Sequence, residues 1–240
     1  MTAHIPNKPA PTFPAPDRKK YRKRMIDTYR LAFDRDLLNL AGCTYTVRAS
    51  DDSVYITRSG GTRDQLGKID SDDLIHADFK GNIIDGEGPL SIEYLCHTTV
   101  MKEFPWVDAV LHTHSRFATI MAARMEAIPA FIESMLGYGD TLIVSDEHRY
   151  STPGFVADIV RLMKENPAMY SKGGCAVLYP RHGILVAHRS PELAFDLAER
   201  VEWNAEAVVY DRLMGTTLPR QLPPHADRPE DPIGESKPAR

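Results

Sequence analysis

The sequence predicts a mixed α/β fold, on three observations. Short runs rich in Val, Ile, Thr and Tyr come in pairs joined by turn residues, the pattern of antiparallel strands. Between those pairs lie longer segments whose apolar residues recur at helical spacing. The 240 residues are 42% hydrophobic and 26% charged, which supports a packed core and excludes a chain disordered throughout.

The elements follow in order. Residues 20–40 carry Met25, Ile26, Tyr29, Leu31, Ala32 and Phe33 at roughly helical spacing, so an amphipathic helix is expected. Runs 43–48 and 53–57 flank Asp51-Asp52, and Ser59-Gly60-Gly61 closes the hairpin they form. Residues 74–78 and 83–84 flank Lys80-Gly81-Asn82, a second hairpin. Residues 91–103 read as a helix with Ser91 as N-cap. An apolar strand covers 107–112 after Pro105, and helices are expected over 117–124 and over 157–166, the latter ending before Pro167. Strands at 175–179 and 183–188 flank Pro180-Arg181-His182, and 191–213 form a long final helix.

Proline sets the domain limits. Five of the 18 prolines fall in residues 1–20 and six in 216–240, so a folded body over 21–215 is expected between a proline-rich arm and a proline-rich tail. A net charge of −4 gives no support for nucleic acid or an anionic membrane as partner. No apolar run reaches the roughly 18–20 residues that span a bilayer. The first 20 residues contain no apolar stretch of a secretory signal, and a cytoplasmic location is expected. Cys43, Cys96 and Cys175 are odd in number and widely spaced, which argues against a disulfide framework and against a cysteine-type zinc site.

Histidine carries the chemistry. His112 and His114 are two apart at the end of a predicted strand, so both imidazoles point to one face. Such a pair holds a divalent ion, or else marks a polar strand end with two hydrogen-bonded histidines. His182, in the turn before Gly183, offers a third nitrogen or is simply a turn residue. Glu93 sits on the first turn of a predicted helix, where a carboxylate favours the helix dipole by about 0.3–1 kcal/mol. It is equally placed to ligate a metal or to abstract a proton. His97 follows one turn later, to orient Glu93 or to fill the core. Ser59 and Gly60 could offer backbone N–H groups to an anion, and Ser91 a hydroxyl.

The order Gly42, Ile56-Thr57-Arg58-Ser59-Gly60, Ser91-Ile92-Glu93, His112-Thr113-His114-Ser115 and Arg181-His182-Gly183 resembles the class II aldolase/adducin family, from about residue 20 to residue 213. The resemblance implies a three-layer α/β/α fold with a central, mostly antiparallel sheet, and homotetramers with sites at subunit boundaries. It also implies that His112, His114 and His182 bind a divalent ion, usually zinc. Glu93 would act as proton acceptor and donor, and would ligate the ion when no substrate is bound. Cys43, Ser59, Gly60 and Ser91 match positions that contact substrate.

The departures bear on substrate. Phosphosugar members carry Gly-Asn where Gly42-Cys43 stands, Ser-Ser where Ser91-Ile92 stands, and a proline at Arg58. The aldolase branch has a Tyr shortly after Ile-Pro-Ala, whereas Ile128-Pro129-Ala130 leads here to Glu133, a second acid/base candidate beside Tyr138 and Tyr150.

The expected function is therefore a metal-dependent carbon–carbon lyase. It would cleave a small hydroxycarbonyl compound, sugar or sugar phosphate in type, by a reversible aldol reaction through a metal-stabilised enediolate. Zinc is the first choice, with manganese, cobalt and iron as alternatives. The rival is decarboxylation of a carboxylate-bearing substrate, held by Arg58 or Arg181. A third reading is a non-catalytic interaction domain of the adducin type.

Overall fold

The computed structural model describes residues 17–39, 42–59, 62–149 and 151–215. The expected tail, most of the expected arm, Gly60 and Tyr150 lie outside the described residues. Arg18, within the expected arm, is tied to the fold by its guanidinium, which donates to Asp108 Oδ1 at 2.9 Å.

Among the described residues the strands are β1 (Thr44–Arg48), β2 (Ser53–Thr57), β3 (Leu74–Asp78), β4 (Ile83–Asp85), β5 (Ala109–Thr113), β6 (Ile128–Pro129), β7 (Thr141–Val144), β8 (Gly174–Tyr179) and β9 (Gly183–His188). The helices are α1 (Tyr21–Asp34), α2 (Arg63–Leu66), α3 (Tyr94–Glu103), α4 (Arg116–Ala123), α5 (Pro153–Glu165) and α6 (Pro191–Met214). The strands form one sheet in the order β4-β3-β2-β1-β5-β9-β8-β7-β6. Its pairings are antiparallel except β7 with β8, which are parallel.

Alternation along the strands builds two cores, one on each sheet face. Tyr45, Val47, Leu111, Leu178 and Val186 point to a layer that includes residues of α1, α4 and α6. Val110, Val177, Tyr179 and Leu185 point to a layer that includes residues of α3 and α5. This is the expected three-layer arrangement. No helix among the described residues is long and apolar enough to cross a membrane.

Several boundaries differ from expectation for local reasons. The first helix stops at Asp34 because Asp36 adopts φ 57°. The Leu37 N–H then reaches back to Ala32 O and the Asp36 N–H to Phe33 O, a Schellman closure. Ser91 does not cap α3. Glu93 holds the cap position, while the Ser91 hydroxyl accepts from the Glu93 N–H at 3.2 Å and lies 2.7 Å from Thr44 Oγ1. That contact fastens the segment before α3 to the sheet end. Helix α5 begins at Pro153, earlier than the apolar pattern indicates, behind an N-cap on Thr152. Strands β6 and β7 are short and were not anticipated.

Candidate metal centre

Strand β5 lies between β1 and β9, and the antiparallel register pairs His112 with Thr44 on one side and Leu185 on the other. His112 and His114 stay on one face, as period-two geometry demands. The β8–β9 hairpin supplies His182 from the same end of the sheet. Arg181 turns this hairpin with φ 57°, and the His182 N–H donates to Tyr179 O at 3.1 Å. Gly183 is required here, because a Cβ on it would lie 2.3 Å from Thr113 O and 2.9 Å from His114 Cδ2.

The three imidazoles converge through one nitrogen each. His112 Nε2 lies 2.9 Å from His114 Nε2 and 3.1 Å from His182 Nε2, and the third side of the triangle is 3.3 Å. An ion bound tetrahedrally at about 2.0–2.1 Å from each nitrogen needs about 3.3 Å between them. His112 Nδ1 lies 2.9 Å from Ile184 O, and that carbonyl accepts only if Nδ1 carries the proton. The carbonyl thereby leaves the Nε2 lone pair directed at the triangle. Burial and the neighbouring imidazoles hold His112 well below its ordinary pKa, burial takes His114 down to about 4, and burial lowers His182 as well. Three imidazoles held neutral, each with Nε2 at the triangle, fit a divalent cation.

Glu93 is buried two residues after Ser91, whose hydroxyl meets Thr44, the register partner of His112, and burial pushes the Glu93 carboxyl up to about 7. Its Oε1 accepts from the Ser151 hydroxyl at 3.4 Å, and Oε2 is buried with no hydrogen-bond partner. The set whose donor atoms all lie within 4.8 Å of one another is His112, His114 and His182, without Glu93. The carboxyl therefore stands off from the nitrogen triangle in this conformation. His97, one turn beyond, is fully buried; its Nδ1 meets Thr46 Oγ1 at 2.8 Å and its Nε2 has no partner. Its side chain braces α3 against β1.

The other nominated residues separate. Ser59 lines a cavity of about 330 Å³ with Thr57, Arg58, Gly88 and Pro89, and its N–H donates to Pro89 O. Ser91 is buried at the same sheet end. Cys43 is buried in the α1-side core, and its carbonyl accepts from the Tyr29 hydroxyl. Glu133 follows β6, which runs antiparallel to β7, while β7 runs parallel to β8. That places Glu133 at the sheet end opposite the histidines. Tyr138 in the same segment packs against His188, at the far end of β9 from Gly183. One chain therefore does not bring Glu133 or Tyr138 to the nitrogen triangle. Sequence reasoning did not find Ser151. The contact joins residues 58 apart, and a serine before Thr-Pro carries no signal for it.

A second group, Asp146, His148 and Asp158, also gathers donor atoms. Arg161 already neutralises both of its carboxylates.

Fold and site together define an α/β protein with a three-histidine cluster at one end of a mostly antiparallel sheet. Residues 23–209 match the family described as Class II Aldolase and Adducin N-terminal domain, and the chain belongs to that family. It is 31% identical over 204 residues to the 5-methylthioribulose-1-phosphate/5-deoxyribulose-1-phosphate aldolase of Rhodospirillum rubrum, across 84% of this chain and 85% of that one. It is 30% identical over 130 residues to the methylthioribulose-1-phosphate dehydratase of Pseudomonas paraeruginosa, a match spanning 54% of this chain and 56% of that one. Among solved structures it resembles an L-fuculose 1-phosphate aldolase, with TM-score 0.73 and 25% identity over 88% of this chain and 92% of that chain.

Proposed function

We propose that the protein is a divalent-metal-dependent lyase that performs aldol cleavage on a small hydroxycarbonyl substrate, with a 1-phosphorylated deoxy- or methylthio-ketose as the class to test first. The observation that carries this reading is the triangle of three histidine nitrogens, together with a buried carboxyl with one unpartnered oxygen. The relative in Rhodospirillum rubrum supports the substrate class.

His112, His114 and His182 would hold the ion, with zinc the first choice and manganese, cobalt or iron the alternatives. When bound, such an ion supplies Lewis-acid stabilisation of charge developing on a carbonyl oxygen. Glu93 handles the proton. As the bond between the carbon next to the carbonyl and the hydroxyl-bearing carbon breaks, its electron pair stays with the former, and protonated Glu93 delivers a proton there. The hydroxyl-bearing carbon leaves as an aldehyde as its hydroxyl proton passes to a second base, water or the Glu133 carboxylate of another copy of the chain. Burial raises the Glu93 carboxyl above the usual carboxylate range, which favours a group that carries a proton.

Glu133, proposed as the second acid/base, reaches a site only if another copy of the chain brings it there, which accords with a homo-oligomeric site. For the substrate anion, the cavity at Ser59 and Arg58 is the candidate. Arg58 directly follows β2, and β1 alone lies between β2 and β5. Strands two apart are about 10 Å from one another.

Dehydration of the same substrate class is a second reading, favoured by the relative named as a dehydratase. Decarboxylation is less supported, because Arg181 is held by Glu147 at 3.0 Å and the two relatives compared are named for aldol cleavage and dehydration. The test loads the protein with zinc, cobalt or manganese and supplies 5-deoxyribulose 1-phosphate and its methylthio counterpart. Aldehyde release supports the aldolase reading; loss of one water, found by mass spectrometry, supports dehydration instead. Metal content is measured beside His112→Ala. No bound ion in the unmutated protein would overturn both readings.

A further inference from the structure

Tyr179 belongs to none of the motifs that mark the metal centre, yet it touches most of them. It is the last residue of β8 and is fully buried. Its backbone pairs with Gly183 and its carbonyl accepts the His182 N–H, so it closes the turn that presents His182. Its ring stacks on His112, with centroids 5.2 Å apart and planes 24° apart. The same ring lies 6.2 Å from His182 at 18°, while His112 and His182 are themselves 4.9 Å apart and nearly parallel at 5°. Phe155 meets the ring edge-on at 4.6 Å and 83°, which blocks its rotation. The phenol oxygen lies 3.4 Å from Cys96 Sγ. Cys96 is on α3, three residues after Glu93.

Two constraints thus act on His112. The Ile184 carbonyl holds its edge, and the phenyl face of Tyr179 holds its plane. A metal site needs ring planes as well as nitrogen positions, because the lone pair lies in the plane of the imidazole. The hydroxyl end adds a second link, from the histidine hairpin to the helix bearing Glu93.

We propose that Tyr179 is a positioning residue of the centre: its ring sets the planes of His112 and His182. The proposal rests on reading the three histidines as the metal site. Groups that hold a ligating histidine typically tune metal affinity by about 10–100-fold.

The test compares Tyr179→Phe and Tyr179→Leu with the unmutated protein in the full chain. Zinc affinity is read by competition with a chromogenic chelator, and the visible spectrum of the cobalt-loaded protein reports ligand geometry. Tyr179→Leu is expected to weaken zinc binding by about 10–100-fold and to alter the cobalt bands, while Tyr179→Phe restores both. Thermal unfolding of the metal-free proteins checks that the comparison is between folded chains. Tyr179→Met, closer in volume, replaces Tyr179→Leu if the latter does not fold. Unaltered zinc affinity and cobalt spectrum in the folded variant that lacks the ring would overturn the ring's role. Equal weakening in Tyr179→Phe would do so too. If the unmutated protein binds no zinc or cobalt, the metal reading itself fails, a result distinct from the other two.

Discussion

Glu202, on α6, accepts the backbone N–H of Phe117 at 2.8 Å and that of Ala118 at 2.9 Å. One carboxylate therefore caps the start of α4 from another helix, where the local N-cap Ser115 makes no capping bond of its own. The cap sits just beyond His114, so it also fixes where β5 hands over to α4. Loss of a cap costs about 0.5–2 kcal/mol. Glu202→Ala is expected to lower stability in urea unfolding by that amount or somewhat more, since two amides lose their acceptor, and Glu202→Gln by less. A neutral effect of Glu202→Ala would show that the two N–H groups find other partners.

Glu93→Gln keeps the shape of the side chain and removes its capacity to accept a proton. Turnover is expected to fall by about 10²–10⁴-fold. Metal content should stay unchanged, because the nitrogen triangle stands without the carboxyl. Steady-state kinetics with elemental analysis checks both, and full activity in the variant would sink the proton-transfer role.

Gly183→Ala places a methyl group 2.3 Å from Thr113 O and 2.9 Å from His114 Cδ2. The backbone of β9 must move away from β5, and His182 moves with it. The expected outcome is a folded protein with reduced zinc occupancy, measured by elemental analysis after dialysis. Retention of full occupancy would mean that the hairpin shifts without separating the nitrogens.

His188 supplies a pH prediction away from the histidine triangle. Burial, aided by the charge of Arg189, brings its imidazole down to about 3. Its Nδ1 accepts the Arg189 N–H at 2.9 Å and its Nε2 has no partner. Unfolding restores an ordinary pKa of about 6.5, so the unfolded chain binds one more proton between those values. The stability contributed by neutral His188 is fully present above about pH 6.5 and is lost as pH falls toward 3, at up to about 1.4 kcal/mol per pH unit. Chemical unfolding in chelator, at several pH values, should show a shallower acid slope in His188→Gln. Parallel slopes would place the proton uptake elsewhere.

Local pattern made much of the fold legible. The hairpins at β1–β2, β3–β4 and β8–β9 and the final helix follow from side-chain periodicity and turn residues, which act over a few positions. The same-face placement of His112 and His114 follows from the period-two strand alone. The pattern misplaces the boundary at α3 by two residues: Glu93 holds the cap position, while Ser91 accepts the Glu93 N–H and also meets Thr44 across the chain.

The sequence by itself determined the α/β class, most of the elements, and a candidate set of histidine and glutamate residues of the types that ligate metals and move protons. Only the tertiary structure decided that His182 meets His112 across 70 positions of chain, that Ser151 holds Glu93, and that Tyr179 stands behind the imidazoles. It also sent Glu133 to the opposite end of the sheet. The reason is physical: periodicity encodes which face a residue occupies, whereas sheet order and loop closure decide which faces meet.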